Sequence, residues 1–192
     1  MKISIAKKDQ RLIYENLEEC KTIDKRKYLS IILTLKVIVA LLYAFGLGYS
    51  LFFFGDDFIK VGVLFLPLLV ICYILIEFPY SIIKSLLLPK VFKKNAISLY
   101  INPFTMAIDI TSSIKISKIR FILSIIISVI IFAVVPTIVS YLLEFNIYLY
   151  AIASSSAIIA TKDIFYLFLI LKNYSYGKTF KLGYNEFIFF NN

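Results

Sequence analysis

Long apolar runs alternate with short polar intervals along this chain, and four of the runs are long enough to matter. They are Tyr28 to Phe54, Val61 to Ile83, Phe121 to Leu143 and Ile147 to Leu171. A hydrocarbon core of about 30 Å takes roughly 20 helical residues to cross. Each run therefore predicts a transmembrane helix, spanning 28–54, 61–83, 121–143 and 147–171. Residues 1–27 mix charged and polar side chains and predict a tail with no cleavable signal peptide. Within it Leu12, Ile13, Leu17 and Cys20 form a helix-like apolar stripe. Such a stripe suits a membrane surface, a partner or a plain solvated helix.

The period changes between the second and third runs. Ile97, Leu99 and Ile101 alternate with Ser98 and Tyr100, Asn102-Pro103-Phe104-Thr105 interrupts, and Met106, Ile108 and Ile110 alternate with Ala107, Asp109 and Thr111. Period two on both sides of an Asn-Pro turn predicts a β-hairpin over 96–111. A lone hairpin is barely stable, so this one must lean on the helices, on headgroups or on a bound strand. The expected fold is an all-α membrane protein forming a single membrane domain, 1–192. It has four transmembrane helices, a small hairpin in the connection between helices 2 and 3, and a second tail over 172–192.

Composition agrees. Apolar residues make up 60% of the 192 and charged residues 17%, with a mean hydropathy of +0.87, well outside the range of a soluble domain. The formal charge of +9 sits in particular intervals. Lys and Arg number eight in residues 1–27, one in 55–60, seven from Lys84 to Arg120, none in 144–146 and three after Leu171. That alternation places both tails and the hairpin connection in the cytoplasm. The implied location is the cytoplasmic membrane of a bacterium, with anionic lipid as the partner of the basic faces. The basic residues bracket spans instead of forming a domain, so nucleic acid is not an expected partner.

Histidine is absent, which excludes a Ser-His dyad, a His-ligated metal and an imidazole shuttle. Cys20 and Cys72 stand in a polar tail and an apolar run, so a disulfide framework is not expected. No cofactor and no metal are implied.

Charges at bilayer depth are costly and mark sites. Lys36, Glu77, Lys162 and Asp163 all lie within spans. Glu77 and Asp163 each stand 16 positions past the outer end of their helix, about 24 Å at 1.5 Å per residue. Lys36, eight positions up from the inner end, is about 12 Å above the inner face, so one layer holds all four. Tyr73, Glu77, Tyr80 and Lys84 make one stripe on helix 2, and Ser156, Asp163 and Tyr166 share a face of helix 4, as do Ser155 and Lys162. Two readings stand side by side. The layer is either a set of interhelical ion pairs, such as Glu77 with Lys36 or Lys162, or a site for a ligand, ion or peptide. Ala40, Ala44 and Gly48 predict a packing face on helix 1, and Pro79 and Pro136 predict kinks.

The order of these features resembles a family of bacterial zincin-type membrane metalloproteases, a domain of unknown function distantly similar to site-2 proteases. The resemblance runs over nearly the whole chain. It rests on Ile76-Glu77-Phe78-Pro79-Tyr80, on Lys118-Ile119-Arg120-Phe121-Ile122, and on Ala160-Thr161-Lys162-Asp163-Ile164-Phe165-Tyr166 running on to Lys172. The family's first motif is His-Glu-x-x-His, which holds zinc on one helix face while the glutamate activates a metal-bound water. The resemblance puts Ile76 and Tyr80 at the histidine positions, Glu77 at the general base and Asp163 at the acidic ligand. Lys162 stands where glycine precedes that ligand. Two of three ligands are missing, so the chain resembles a degenerate, non-catalytic member in which Lys162 stands in for the metal's charge.

The expected function is accordingly that of a pseudoprotease. Such a protein would bind a hydrophobic peptide, give immunity to one, or serve as an accessory subunit of a membrane complex such as a peptide-exporting ABC transporter. Partners would be a membrane protein or a second copy of the chain. The alternatives are a small substrate-binding transport subunit, or an atypical intramembrane protease using Glu77 and Asp163 as a carboxylate pair.

Overall fold

The computed structural model describes residues 2–5, 20–54, 58–89, 96–101, 108–173, 179–183 and 186–190. Strands β1 (Lys2–Ile5) and β2 (Cys20–Asp24) lead through a 3-10 turn, Lys25–Tyr28, into helix α1 (Leu29–Phe54). Helix α2 (Phe58–Leu86) follows, then β3 (Ile97–Ile101), β4 (Ile108–Ser112) and the short β5 (Ile116–Ser117). A rod of α3 (Lys118–Val129), a π turn (Ile130–Val134) and α4 (Val135–Leu142) is followed by α5 (Ile147–Lys172), β6 (Thr179–Leu182) and β7 (Glu186–Phe190). The four helical rods are long and apolar enough to cross a membrane.

Helix α5 is the axis of the bundle. Its middle carries Ala151, Ala153, Ser154, Ser155, Ser156 and Ala160, all buried, and side chains this small let three neighbours approach closely. Ser154, Ser156 and Thr161 turn their hydroxyls back to the carbonyls of Ala151, Ile152 and Ala157, which satisfies them without a partner helix. The outer faces of α1, α2 and the α3–α4 rod leave large apolar side chains such as Phe45, Phe52, Leu66 and Leu142 exposed.

The small-residue series on α1 is buried only in part, with Ala40 and Gly48 half-buried. Ala44 is exposed. The close approach is made at Gly46, where a Cβ would lie 2.6 Å from the Tyr150 hydroxyl. That hydroxyl donates to the Tyr43 carbonyl at 2.8 Å. Around it Phe65, Tyr141 and Phe145 complete an aromatic cluster. The cluster is braced by a tight turn in which Glu144 and Phe145 take positive φ, 52° and 64°, and Asn146 caps α5 by accepting from Tyr148 and Leu149.

Pro136 stands at the start of α4, directly after the π turn. A proline removes one N–H and crowds the carbonyl four residues back. The helix accommodates this by widening to a π turn ahead of the ring. Pro67 and Pro79 sit inside the continuous α2.

The other end of the bundle carries more than the expected hairpin. β3 and β4 do pair, from Ile97 against Ser112 to Ile101 against Ile108; their connecting turn at Asn102–Thr105 lies outside the described residues. β1 adds to β3 in parallel, giving a sheet ordered β1-β3-β4. The two presumptive tails then supply a second sheet, ordered β2-β7-β6-β5. Cys20–Asp24 runs antiparallel to Phe190–Glu186. The 1–27 and 172–192 segments are thus not tails throughout, and the fold is α-helical with two small sheets. Of the apolar stripe, Cys20 lies in β2, and Leu12, Ile13 and Leu17 fall outside the described residues. The sheets share a core with the helix ends, built from Leu99, Ile110, Ile116, Phe121, Phe180 and Phe187 among others. The reason is visible in β7, whose Phe187, Ile188 and Phe189 are all buried: consecutive apolar residues need cover on both faces.

Candidate functional site

Charged residues of the helical rods and the hairpin meet at one place. In the β1-β3-β4 sheet β4 is the outer strand, and an outer strand turns unpaired main-chain groups away from its neighbour. Here those groups are met by side chains from two helices. The Ile108 N–H donates to Glu77 Oε1 at 2.8 Å, and the Ile108 carbonyl faces Lys162 Nζ at 3.4 Å. Lys162 also donates to Asp109 Oδ1 at 3.2 Å. Glu77 on α2 and Lys162 on α5 therefore grip the main chain of one extended residue from its two polar sides.

Asp163 is served differently. Lys84, one helical turn beyond Tyr80 on α2, reaches its Oδ1 at 2.5 Å. Both partners are buried, with 7% and 2% of their surface exposed. The expected pairings of Glu77 with Lys36 or Lys162 are not the ones formed. Lys36 donates to the Tyr73 hydroxyl at 3.0 Å and lies over its ring. Lys162 goes to Asp109, and the cation beside Asp163 is Lys84. The physical reason is reach: residue 162 adjoins residue 163 on α5 but points around the helix toward the strand, whereas Lys84 comes across from α2.

Tyr80 is 1% exposed, packs on Phe132, and its hydroxyl lies next to the Asp163 carboxylate. Ile76 is buried in the same apolar cluster. Tyr166 packs against Phe187. Among the described residues Ser156 bonds within α5, to the Ile152 carbonyl, and does not join the group, while its neighbour Ser155 donates across to the Leu69 carbonyl of α2 at 3.0 Å.

Two further residues line the site, Asp109 and Lys25, and a third buried side chain, Lys118, stands outside that lining. Asp109 is the single acidic residue between Lys84 and Arg120, amid seven basic ones, and that imbalance was the available signal. Burial raises the pKa of its carboxyl, but Lys162 and Lys25 outweigh this and hold it below the ordinary value. Lys25 is buried over the Phe187 ring and donates to the Gly183 carbonyl at 2.6 Å. Lys118, 1% exposed, donates to the Asn173 carbonyl at 2.9 Å, so that it closes the C-terminal end of α5. Both read in the sequence as ordinary members of basic faces.

Between β4 and these side chains lies a cavity of about 20 Å3, lined by Lys25, Lys84, Asp109, Lys162, Asp163 and Tyr166 among others. A single water needs ~10–15 Å3, so the space suits little more. The donor set does not suit zinc. Ile76 offers no lone pair, Glu77 is engaged by a main-chain N–H, and Asp163 carries an ammonium where a metal would sit. Among the described residues no three His, Cys, Asp or Glu side chains cluster as ligands. Chemically the arrangement is built to hold an extended backbone, with one carboxylate acceptor and one ammonium donor.

Compared with known proteins, the chain matches no family model, no curated protein and no solved structure.

Proposed function

We propose that this chain is a non-catalytic, multi-pass membrane protein whose polar layer holds extended polypeptide. It would act as a peptide-binding, immunity or accessory subunit of a membrane complex, of the kind a peptide-exporting transporter employs. One observation carries the reading: Glu77 and Lys162 bond the main chain of Ile108 and ignore its side chain. Groups that recognise main chain accept many sequences, which is what strand addition to a sheet edge does. In this reading β4 occupies the seat an extended ligand would share or extend, and the protein descends from a zincin-like membrane protease whose metal position is now taken by Lys84.

The two sheets and both terminal strands share one end of the bundle. The Lys and Arg distribution supports placing that end on the cytoplasmic side of a bacterial plasma membrane. The alternatives have less support. A transport subunit needs a substrate cavity in the charged layer, and the space there is about 20 Å3. A carboxylate-pair protease needs Glu77 and Asp163 to share a proton, and each has its own partner.

The test is purification from the native membrane in mild detergent, with mass spectrometry of co-purifying chains and a metal assay on the same sample. A stoichiometric membrane partner or bound peptide that is lost on Glu77→Leu, without metal, is the expected result. Stoichiometric zinc with no partner would overturn the reading.

A further inference from the structure

A second, apolar groove of about 620 Å3 runs between α1, the α3–α4 rod and α5. Leu35 and Val39 form one wall, Val129 and Ala133 the other, and Ala157 and Ala160 the floor. The two threonine hydroxyls of the lining donate within their own helices, Thr161 to the Ala157 carbonyl and Thr137 to the Ala133 carbonyl, so neither offers its proton to a ligand.

Its dimensions say what it fits. On α5 the lining runs from Ala157 to Phe168, about 16 Å at 1.5 Å per residue, and one leaflet's share of a ~30 Å hydrocarbon core is about 15 Å. Toward the end away from the sheets the Tyr43 hydroxyl meets Thr137 Oγ1 at 3.2 Å, a bridge that ties α1 to α4 across the groove. A partner helix crossing the whole bilayer would have to pass that bridge. An acyl chain rooted in the leaflet on the sheet side ends beneath it.

The near end offers charge. Tyr28 packs on Phe165 at the groove's lower rim, and the exposed Lys27 adjoins Tyr28. Lys172, also exposed, follows Phe168 by four residues and so shares its helix face. Lys27 and Lys172 thus stand, both exposed, on the two elements that border this end of the groove.

We propose that this groove is a binding site for one anionic phospholipid of the leaflet on the sheet side. Its acyl chain fills the space between α1 and the α3–α4 rod, and its phosphate lies between Lys27 and Lys172. The proposal rests on the reading of the four rods as membrane spans, and it is independent of any peptide.

The experiment uses the full chain in phosphatidylcholine vesicles containing phosphatidylglycerol, with nitroxide-labelled acyl chains of either lipid as the probe. The expected spectrum has an immobilised component near one lipid per chain. It favours phosphatidylglycerol by about fivefold per lysine, the equivalent of ~1 kcal/mol for each charge at the surface. Ala157→Phe should abolish the component while leaving the melting temperature in detergent unchanged. Ile138→Trp, at an exposed groove position, does the same if the first variant fails to fold. Lys27→Gln with Lys172→Gln should keep the component and remove the preference. An immobilised component that survives both groove fillings, or equal immobilisation of the two lipids in the unsubstituted protein, overturns the proposal. So does photo-crosslinking from position 134 to polypeptide instead of lipid. Loss of the chain from vesicles in alkaline carbonate would overturn the membrane reading itself, a result distinguishable from failure of the groove alone.

Discussion

Asp163 and Lys84 are an ion pair with almost no contact with solvent. Taking two charges out of water costs several kcal/mol each, and their attraction offsets it only while both are present. Asp163→Asn or Lys84→Met alone should therefore cost about 3–5 kcal/mol, measured by denaturant unfolding in detergent. The double variant Lys84→Met with Asp163→Leu should lose far less than the sum of the two; additive losses would show that the residues do not act as a pair. Asp109 makes a different demand. Its carboxyl, held below the ordinary value by Lys162 and Lys25 against the effect of burial, binds protons less readily folded than unfolded. Its contribution is thus complete above the unfolded value of about 3.9 and is lost as pH falls through the lower folded value. The melting temperature should hold from neutral pH to about 5 and then drop, with part of that acid slope missing in Asp109→Asn. At this scale the sequence is informative about which residues are costly and silent about which partner each finds. Glu77, Lys162 and Asp163 stand out because charge is rare in apolar runs. Their partners lie on a strand and on a helix end whose approach no spacing rule encodes, so Lys84 and Asp109 could not be assigned.

The elements divide by the range of the forces that make them. Each helical rod is a local fact: an apolar run long enough to span, ended by charge or by a short turn, and it is visible in the sequence to within a few residues. The β3–β4 hairpin is local as well, since its alternation and its partner lie within one short stretch. The β2–β7 pairing is not, because Cys20–Asp24 is an unremarkable polar segment until Glu186–Phe190 lies beside it. Its register can be checked directly. In a Cys20→Ser background, cysteines at the facing positions Thr22 and Ile188 should cross-link under mild oxidation. Cysteines at Thr22 and Phe187 should not, because a one-residue slip turns the side chain to the opposite face. Efficient bridging of the second pair would overturn the register. The π turn before Pro136 belongs to this scale too. The proline is plain in the sequence, but whether a helix answers it by bending or by widening depends on the neighbours it must keep.

Across the whole molecule the two ends of the bundle are built from different materials. One is an aromatic cluster around Tyr150; the other is a pair of sheets stacked on helix ends, with buried Lys25, Lys84 and Lys118 between. Of that second end the β3–β4 hairpin alone was legible in the sequence, because the rest is assembled from widely separated stretches. The β2–β7 ladder also orders events during synthesis. Lys25 and the carbonyl it serves at Gly183 are 158 positions apart, and all four helical rods lie between them. A ribosome adding roughly 5–20 residues per second leaves β2 without its neighbour for about ten seconds or more. Throughout that time its open edge invites any passing strand. β7 is therefore the clasp that shuts β2, and until it is made the four helical rods are complete while the polar end of the bundle stands unfastened.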